Sequence, residues 1–190
     1  DAPGGRVTAQ MHDLIIVGGG PVGAALAVAL SGSGMDVLVL EARSGPGSAV
    51  DGRTLAMSHG SSLILQRLGA WERLMPATPI ETIHVSQRGG YGRTLLTAAE
   101  AGLPALGYVV RYGNLQNALG EALAASTAQV LNGAAVERIA QGDGSTLAYR
   151  HGDRLLEART RLLVIADGGA SSTGSSIAGS RRAGAHPQPP

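Results

Sequence analysis

The sequence predicts an α/β fold in which a central parallel sheet is flanked by helices and accompanied by a smaller β layer. Three observations predict it. Leu14-Ile15-Ile16-Val17 is an uncharged apolar run with the character of a strand buried on both faces, and it breaks at a cluster of glycines. An Ala/Leu/Val helix follows, with Pro21 where a first helical turn tolerates a missing N–H and Ser31-Gly32-Ser33-Gly34 as its stop. Val37-Leu38-Val39-Leu40 is then a second buried run, and strand, turn, helix and strand in that order make a βαβ unit with a parallel pair.

Further along, Ser62 to Trp71 carries Ile64, Leu65, Leu68 and Trp71 at helical spacing, which predicts a helix with its tryptophan in the core. Ile80 to Val85 and Arg93 to Leu96 read as strands of a hairpin across Gly89-Gly90-Tyr91-Gly92. Leu115, Ala118, Leu119, Ala122 and Leu123 recur at i, i+3, i+4, i+7 and i+8, an amphipathic helix for which Asn114 is the expected N-cap. Strands are expected at Val130-Leu131, Ala135 to Ile139, Leu147 to Tyr149, Leu155 to Ala158 and Leu162 to Ala166, with a polar turn at His151-Gly152-Asp153. Residues 1–12 read as a leader or appended remnant, residues 13–172 as the folded domain, and residues 173–190, rich in Gly, Ser, Ala, Arg and Pro, as a disordered tail.

Composition narrows the chemistry. With 190 residues the chain has room for one domain, and 44% hydrophobic against 15% charged residues supply a core. Fifteen basic residues against 14 acidic ones give a net charge of +1 with no basic stripe, so nucleic acid is not an expected partner. The absence of Cys removes disulfides, thiolate nucleophiles and Cys-type zinc or iron–sulfur sites, and the absence of Lys removes a Walker A loop and a Schiff-base lysine. Neither a paired-histidine metal motif nor a G-x-S-x-G elbow occurs, so no metal is expected and no catalytic residue is assigned. The uncharged stretch from Leu14 to Met35 is long enough for a membrane span, but five Gly and Pro residues interrupt it after four apolar positions.

The motif that carries chemistry is Gly18-Gly19-Gly20-Pro21-Val22-Gly23, a G-x-G-x-x-G between a strand and a helix. Its first glycine makes the tight turn, its second admits a pyrophosphate to the backbone, and its third lets helix and strand pack closely. The uncompensated N–H groups of the helix N-terminus then face the anion. Glu41 ends the second strand 18 residues after Gly23, where a carboxylate accepts hydrogen bonds from an adenosine ribose and repels a 2′-phosphate. Together they predict a Rossmann-like dinucleotide-binding domain. FAD and NAD share the ADP half, so these residues leave the choice open.

Several separated motifs carry a resemblance. The fingerprint is followed by Asp51-Gly52-Arg53-Thr54-Leu55-Ala56-Met57-Ser58, by Gly107-Tyr108-Val109-Val110-Arg111 leading to Asn114-Leu115-Gln116, and by Ala166-Asp167-Gly168. Over Asp13 to Ser172 the chain resembles the FAD-dependent aromatic hydroxylases of ubiquinone biosynthesis. His84 to Gly89 with Ala105-Leu106-Gly107 is most similar to the branch that hydroxylates 2-polyprenyl-6-methoxyphenol. The resemblance implies FAD as cofactor, NAD(P)H as co-substrate, and O2-dependent hydroxylation of a small aromatic substrate, a prenylated phenol. It also implies a cytoplasmic setting with peripheral attachment to the inner membrane or to a ubiquinone-biosynthesis complex.

Carried over residue by residue, Gly18, Gly20 and Gly23 would cradle the FAD pyrophosphate and Glu41 would hold the adenosine ribose. Arg53 would lie near the flavin and its phosphates, Arg111 and Gln116 would reach the cofactor from the following helix, and Asp167 with Gly168 would form the second fingerprint. The resembling family continues with an arginine soon after that fingerprint and then a Gly-Asp motif, neither of which follows here, so the chain is expected to be a C-terminally truncated, N-terminal part of such an enzyme. Two competing readings stand beside this one: a catalytically inactive dinucleotide-binding fragment, and an NAD-dependent dehydrogenase.

Overall fold

The computed structural model describes residues 10–45, 52–86 and 92–168, and the backbone of 177–178. In chain order the elements are β1 (Met11–Val17), α1 (Pro21–Ala29), β2 (Val37–Glu41), β3 (Thr54–Ser58), α2 (His59–Arg67), α3 (Trp71–Leu74), β4 (Thr78–Ile80), β5 (Thr82–Ser86) and β6 (Arg93–Thr97). There follow β7 (Gly107–Arg111), α4 (Tyr112–Ala124), β8 (Gln129–Asn132), β9 (Ala134–Gly142), β10 (Gly144–His151), β11 (Arg154–Ile165) and β12 (Ile177–Ala178).

β1 and β2 are apolar on both faces because both faces are covered. Their alternate side chains divide between two cores. Leu14, Ile16, Val37 and Val39 point to one side, where they meet Ala24 and Ala27 of α1 and Leu115, Ala118, Leu119, Ala122 and Leu123 of α4. Ile15, Val17, Leu38 and Leu40 point to the other, against Ala134, Ile139, Leu147, Tyr149 and Ala158 of β9, β10 and β11. The period of two in a strand makes this division automatic.

The strands assemble into a seven-stranded sheet of order β12-β9-β10-β11-β1-β2-β8. Its centre is parallel, with Leu14 opposite both Val37 and Leu162 and Leu40 opposite Leu131. β9, β10 and β11 form an antiparallel meander at one side, and the His151-Gly152-Asp153 turn joins the last two, with His151 opposite Arg154. The smaller β layer is present as an antiparallel sheet of order β3-β7-β4 beside the β5-β6 hairpin. The α/β class with a central parallel sheet therefore stands as the sequence predicts.

Local departures have local causes. The helix expected over Ser62 to Trp71 is two helices: Gly69 takes φ +67°, a left-handed conformation suited to glycine, and the chain turns before α3 starts at Trp71. Trp71 nonetheless joins the core, edge-on to Tyr108 with ring centroids 4.9 Å apart. Asn114 is not the N-cap of α4; that position belongs to Arg111, at the end of β7, with no side-chain cap. The two strands expected at Leu155 to Ala158 and Leu162 to Ala166 are one, because β11 pairs first with β10 and then with β1 without a break. β1 begins at Met11, and His12 is buried opposite Thr160, so the leader assigned to residues 1–12 runs too far. Residues 1–9, the Gly89 to Tyr91 part of the hairpin turn, and most of the expected tail lie outside the described residues; within that tail, Ile177 and Ala178 pair in parallel with Ile139 and Ala140 of β9.

One glycine sets how closely helix and sheet approach. A Cβ on Gly23 would lie 1.9 Å from the Gly18 carbonyl oxygen and 3.2 Å from Ile16 Cγ2. Gly23→Ala should therefore push α1 off the sheet at a cost of about 1–3 kcal/mol, the usual scale for overpacking. Gly120→Ala, in the interior of α4 with nothing within 4 Å, should have the opposite sign, gaining about 0.5–1 kcal/mol of helix stability. Thermal unfolding followed by circular dichroism checks both; equal melting points for the two variants would contradict this account of the packing.

Candidate functional site

The site forms where three chain segments end at the same edge of the parallel sheet. β1 delivers Gly18, whose N–H donates to the Leu40 carbonyl at 2.8 Å. β11 delivers Ala166, whose N–H donates to the Val17 carbonyl at 2.7 Å, and β2 delivers Glu41. Gly18 takes φ +102°, and a Cβ there would lie 2.6 Å from the Ala166 carbonyl oxygen and 2.7 Å from Asp167 Cα. The two expected fingerprints, far apart in sequence, are thus packed backbone to backbone.

The three glycines of the motif have different physical reasons. Gly18 and Gly23 are demanded by the protein's own packing. Gly20 is not: its Cβ position has nothing within 4 Å. Gly20 is the N-cap of α1, which has no side-chain cap and no acidic residue in its first turn, so the positive end of this helix is presented bare. Beside it Val22 is 72% exposed.

This edge opens onto a cavity of about 870 Å³ lined by Gly18, Gly20, Glu41, Asp167 and Gly168, with Leu40, Leu55, Met57, Tyr112 and Leu115 among its apolar walls. A second cavity of about 480 Å³ lies on the other side of Glu41, between α4 and β8, and includes Gln116, Asn117 and Asn132. Glu41 and Arg43 line both. Gly18, Gly20, Asp167 and Gly168 line the larger cavity, Gln116 lines the smaller one and Glu41 lines both, with Gly23 behind the larger in the helix packing. Arg53 and Arg111 stand at the N-terminus of α4. The Arg53 carbonyl accepts from Tyr112 N–H at 2.8 Å, its guanidinium lies 4.7 Å from the Tyr112 ring centroid, and the exposed Arg111 ends β7; neither belongs to the cavity lining.

Glu41 is firmly held in the crevice. Its side chain is 11% exposed. Oε2 accepts from the Gly19 N–H at 2.7 Å and from Arg43 Nη2 at 3.1 Å, while Oε1 accepts from the Arg43 N–H and from Arg43 Nε, both at 2.9 Å. Burial alone would raise its pKa. The Arg43 hydrogen bonds, the two backbone N–H groups and the arginine's charge outweigh it, so the carboxyl is held below its ordinary value, and Arg43 in turn is raised by the same hydrogen bonding.

Sequence reasoning missed Arg43. The signal was its place two residues beyond Glu41, close enough for a side chain of arginine's length to fold back onto the carboxylate. With the Gln116 amide oriented so that its carbonyl faces the guanidinium, Gln116 also accepts from Arg43 Nη1 and, at 3.2 Å, from Nη2. Among the described residues no group of three His, Asp or Glu could hold a metal ion, and no helix is long and apolar enough to cross a membrane.

A bare helix N-terminus, an open glycine above it and a carboxylate at the end of the second strand define a dinucleotide-binding domain. The chain belongs to the FAD binding domain family, whose model matches residues 11–187, and its cofactor is FAD. The ubiquinone hydroxylase UbiM of Neisseria meningitidis serogroup C is 31% identical over 173 residues, 85% of this chain and 37% of that protein. The 3-demethoxyubiquinol 3-hydroxylase of Escherichia coli K12 is 34% identical over 178 residues, again 85% of this chain and 42% of that one. The p-nitrophenol 4-monooxygenase PnpA of Pseudomonas putida DLL-E4 has the same fold, with a TM-score of 0.71 at 22% identity over 87% of this chain and 43% of its own. The chain thus spans less than half the length of each of these relatives.

Because Glu41 is held below its unfolded-state value, its contribution to stability is full above the ordinary value of 4.5 and is lost as pH falls through the lower folded-state value. Glu41→Gln should be less stable than the unsubstituted chain at neutral pH and should lose less stability on going to pH 3. Urea unfolding at both pH values checks this; parallel losses in the two proteins would contradict it.

Proposed function

We propose that this chain is the cofactor-holding part of an FAD-dependent monooxygenase that hydroxylates a prenylated phenol in ubiquinone biosynthesis, using NAD(P)H and O2. The observation that carries the reading is that the bare N-terminus of α1, the open space over Gly20 and the Glu41 carboxylate all face one crevice. That arrangement fits both parts of an ADP moiety, an anion for the helix end and a sugar diol for the carboxylate. The relatives named as a ubiquinone hydroxylase and a 3-demethoxyubiquinol 3-hydroxylase support the substrate class.

In this reading the backbone at Gly18 and Gly20 binds the diphosphate, Gly23 holds α1 at the distance that makes this contact, and Glu41 accepts hydrogen bonds from the adenosine ribose. Arg53 and Arg111 supply positive charge at the rim, Gln116 contacts the cofactor from α4, and Asp167 with Gly168 face it from the end of β11. Leu40, Leu55, Met57 and Leu115 form an apolar wall of the crevice. Bound FAD supplies the electron transfer from NAD(P)H and the activation of O2, chemistry that no side chain here provides. A polyprenyl tail would carry the substrate in the bilayer, so the reading includes peripheral attachment of the enzyme to the membrane that holds it.

Titration of the purified chain with FAD, followed by quenching of flavin fluorescence, should give saturable binding, and NADH without flavin should bind far more weakly. Gly20→Ala should lower FAD affinity by about tenfold or more, by placing a methyl group where the diphosphate approaches. Its melting temperature should fall by no more than the small cost of an alanine in place of an N-cap glycine, since that methyl meets no protein atom. An unaltered FAD affinity in this variant, or equal preference for NADH, would contradict the assignment. Formation of a hydroxylated product from a prenylated phenol, read by mass spectrometry, tests the substrate.

A further inference from the structure

We propose that the Arg43 side chain is a placeholder for the ribose diol: it occupies the two acceptor positions on Glu41 that the sugar hydroxyls take, and it must leave for the cofactor to seat. The inference rests on the FAD reading above and adds a residue and a step to it.

A carboxylate offers about four lone-pair positions, two on each oxygen. All four are filled on Glu41. Two are filled by backbone donors whose places the fold dictates, the N–H of Gly19 in the glycine loop and the N–H of Arg43 in the bend that follows β2. The other two are filled by Arg43 Nε on Oε1 and Arg43 Nη2 on Oε2. The guanidinium thus gives one hydrogen bond to each oxygen, as a forked pair of donors. A vicinal diol offers the same count in the same forked arrangement, so the two donors compete for one place.

Exposure tells which partner can move. The Arg43 side chain is 45% exposed and the Glu41 side chain 11%, so the guanidinium can swing into water while the carboxylate stays. The same guanidinium reaches Gln116 on α4, which makes a bridge from β2 to α4. Glu41 and Arg43 line both the 480 Å³ and the 870 Å³ cavities, so this bridge is the partition between them. Withdrawal of the side chain bares the carboxylate and joins the two cavities in one motion. A purely structural ion pair would have no bearing on sugar recognition.

The test uses ADP and 2′-deoxy-ADP, which differ by one ribose hydroxyl and carry the same charge, with affinities measured by isothermal titration calorimetry on the full chain. For the unsubstituted chain the ratio of the two dissociation constants should be near one, because the diol gains on Glu41 only what the guanidinium gives up. In Arg43→Ala the ratio should rise to about tenfold, the scale of a hydrogen bond to a charged group. Arg43→Lys keeps the charge but not the fork and should move the ratio in the same direction, which separates the placeholder from a loss of positive charge. Adding Glu41→Gln to Arg43→Ala should return the ratio towards one. Identical ratios in the unsubstituted chain and both Arg43 variants, with ADP bound, overturn the placeholder and leave the FAD reading standing. Binding of neither ADP nor FAD by any of the proteins overturns the FAD reading and the placeholder with it.

Discussion

The rest of the structure depends on two close approaches that only glycine permits. At Gly18 the backbone of Ala166 and Asp167 lies where a Cβ would be, and at Gly23 the Gly18 carbonyl oxygen does. Through these contacts β1, α1 and the end of β11 meet at a single edge of the sheet. The loop between β1 and α1 is thereby held tight enough for the Gly19 N–H to reach Glu41, and α1 is aimed so that its uncapped end looks into the crevice. Removal of the side chains at two positions thus creates both the packing and the space in front of it.

Electrostatics then decides what that space suits. Placing a carboxylate among apolar walls is costly unless its acceptors are paired. Glu41 is paired twice by backbone and twice by Arg43, and the net result favours the ionised form. The positive end of α1 and the Glu41–Arg43 pair sit at one crevice, which suits a ligand that is anionic at one point and hydroxyl-bearing at another. An acidic group in the first turn of α1 would satisfy the helix end internally, and none is there.

Much of the fold was legible because its signals are local. The βαβ unit shows in four apolar residues, a glycine cluster, a helix stop and four more apolar residues, and the amphipathic period of α4 shows in Leu115 to Leu123. The misreadings share a cause. Asn114 has the right chemistry for an N-cap, but β7 leads straight into α4 and the helix starts at Tyr112. Leu68 and Trp71 keep a helical spacing across Gly69, whose left-handed backbone separates α2 from α3. β11 looked like two strands because the polar stretch from Arg159 to Arg161 lies in the middle, where the strand passes from one partner to the next. In each case a neighbour distant in sequence, or a single backbone conformation, overrode the local pattern.

The sequence by itself determined the class of fold, the glycine loop and the carboxylate that answers it, because these rest on steric freedom at named positions and on short-range periodicity. The residues it singled out divide between two cavities that share Glu41: Gly18, Gly20, Asp167 and Gly168 line the larger and Gln116 the smaller. Only the tertiary structure supplied the partners, the Ala166 and Asp167 backbone at Gly18 and the Gly18 carbonyl oxygen at Gly23. It alone placed Arg53 and Arg111 outside the cavity lining and set Arg43 across Glu41 to Gln116. The physical reason is that packing clearance and hydrogen-bond occupancy are relations among atoms brought together by folding, and no spacing along the chain encodes them.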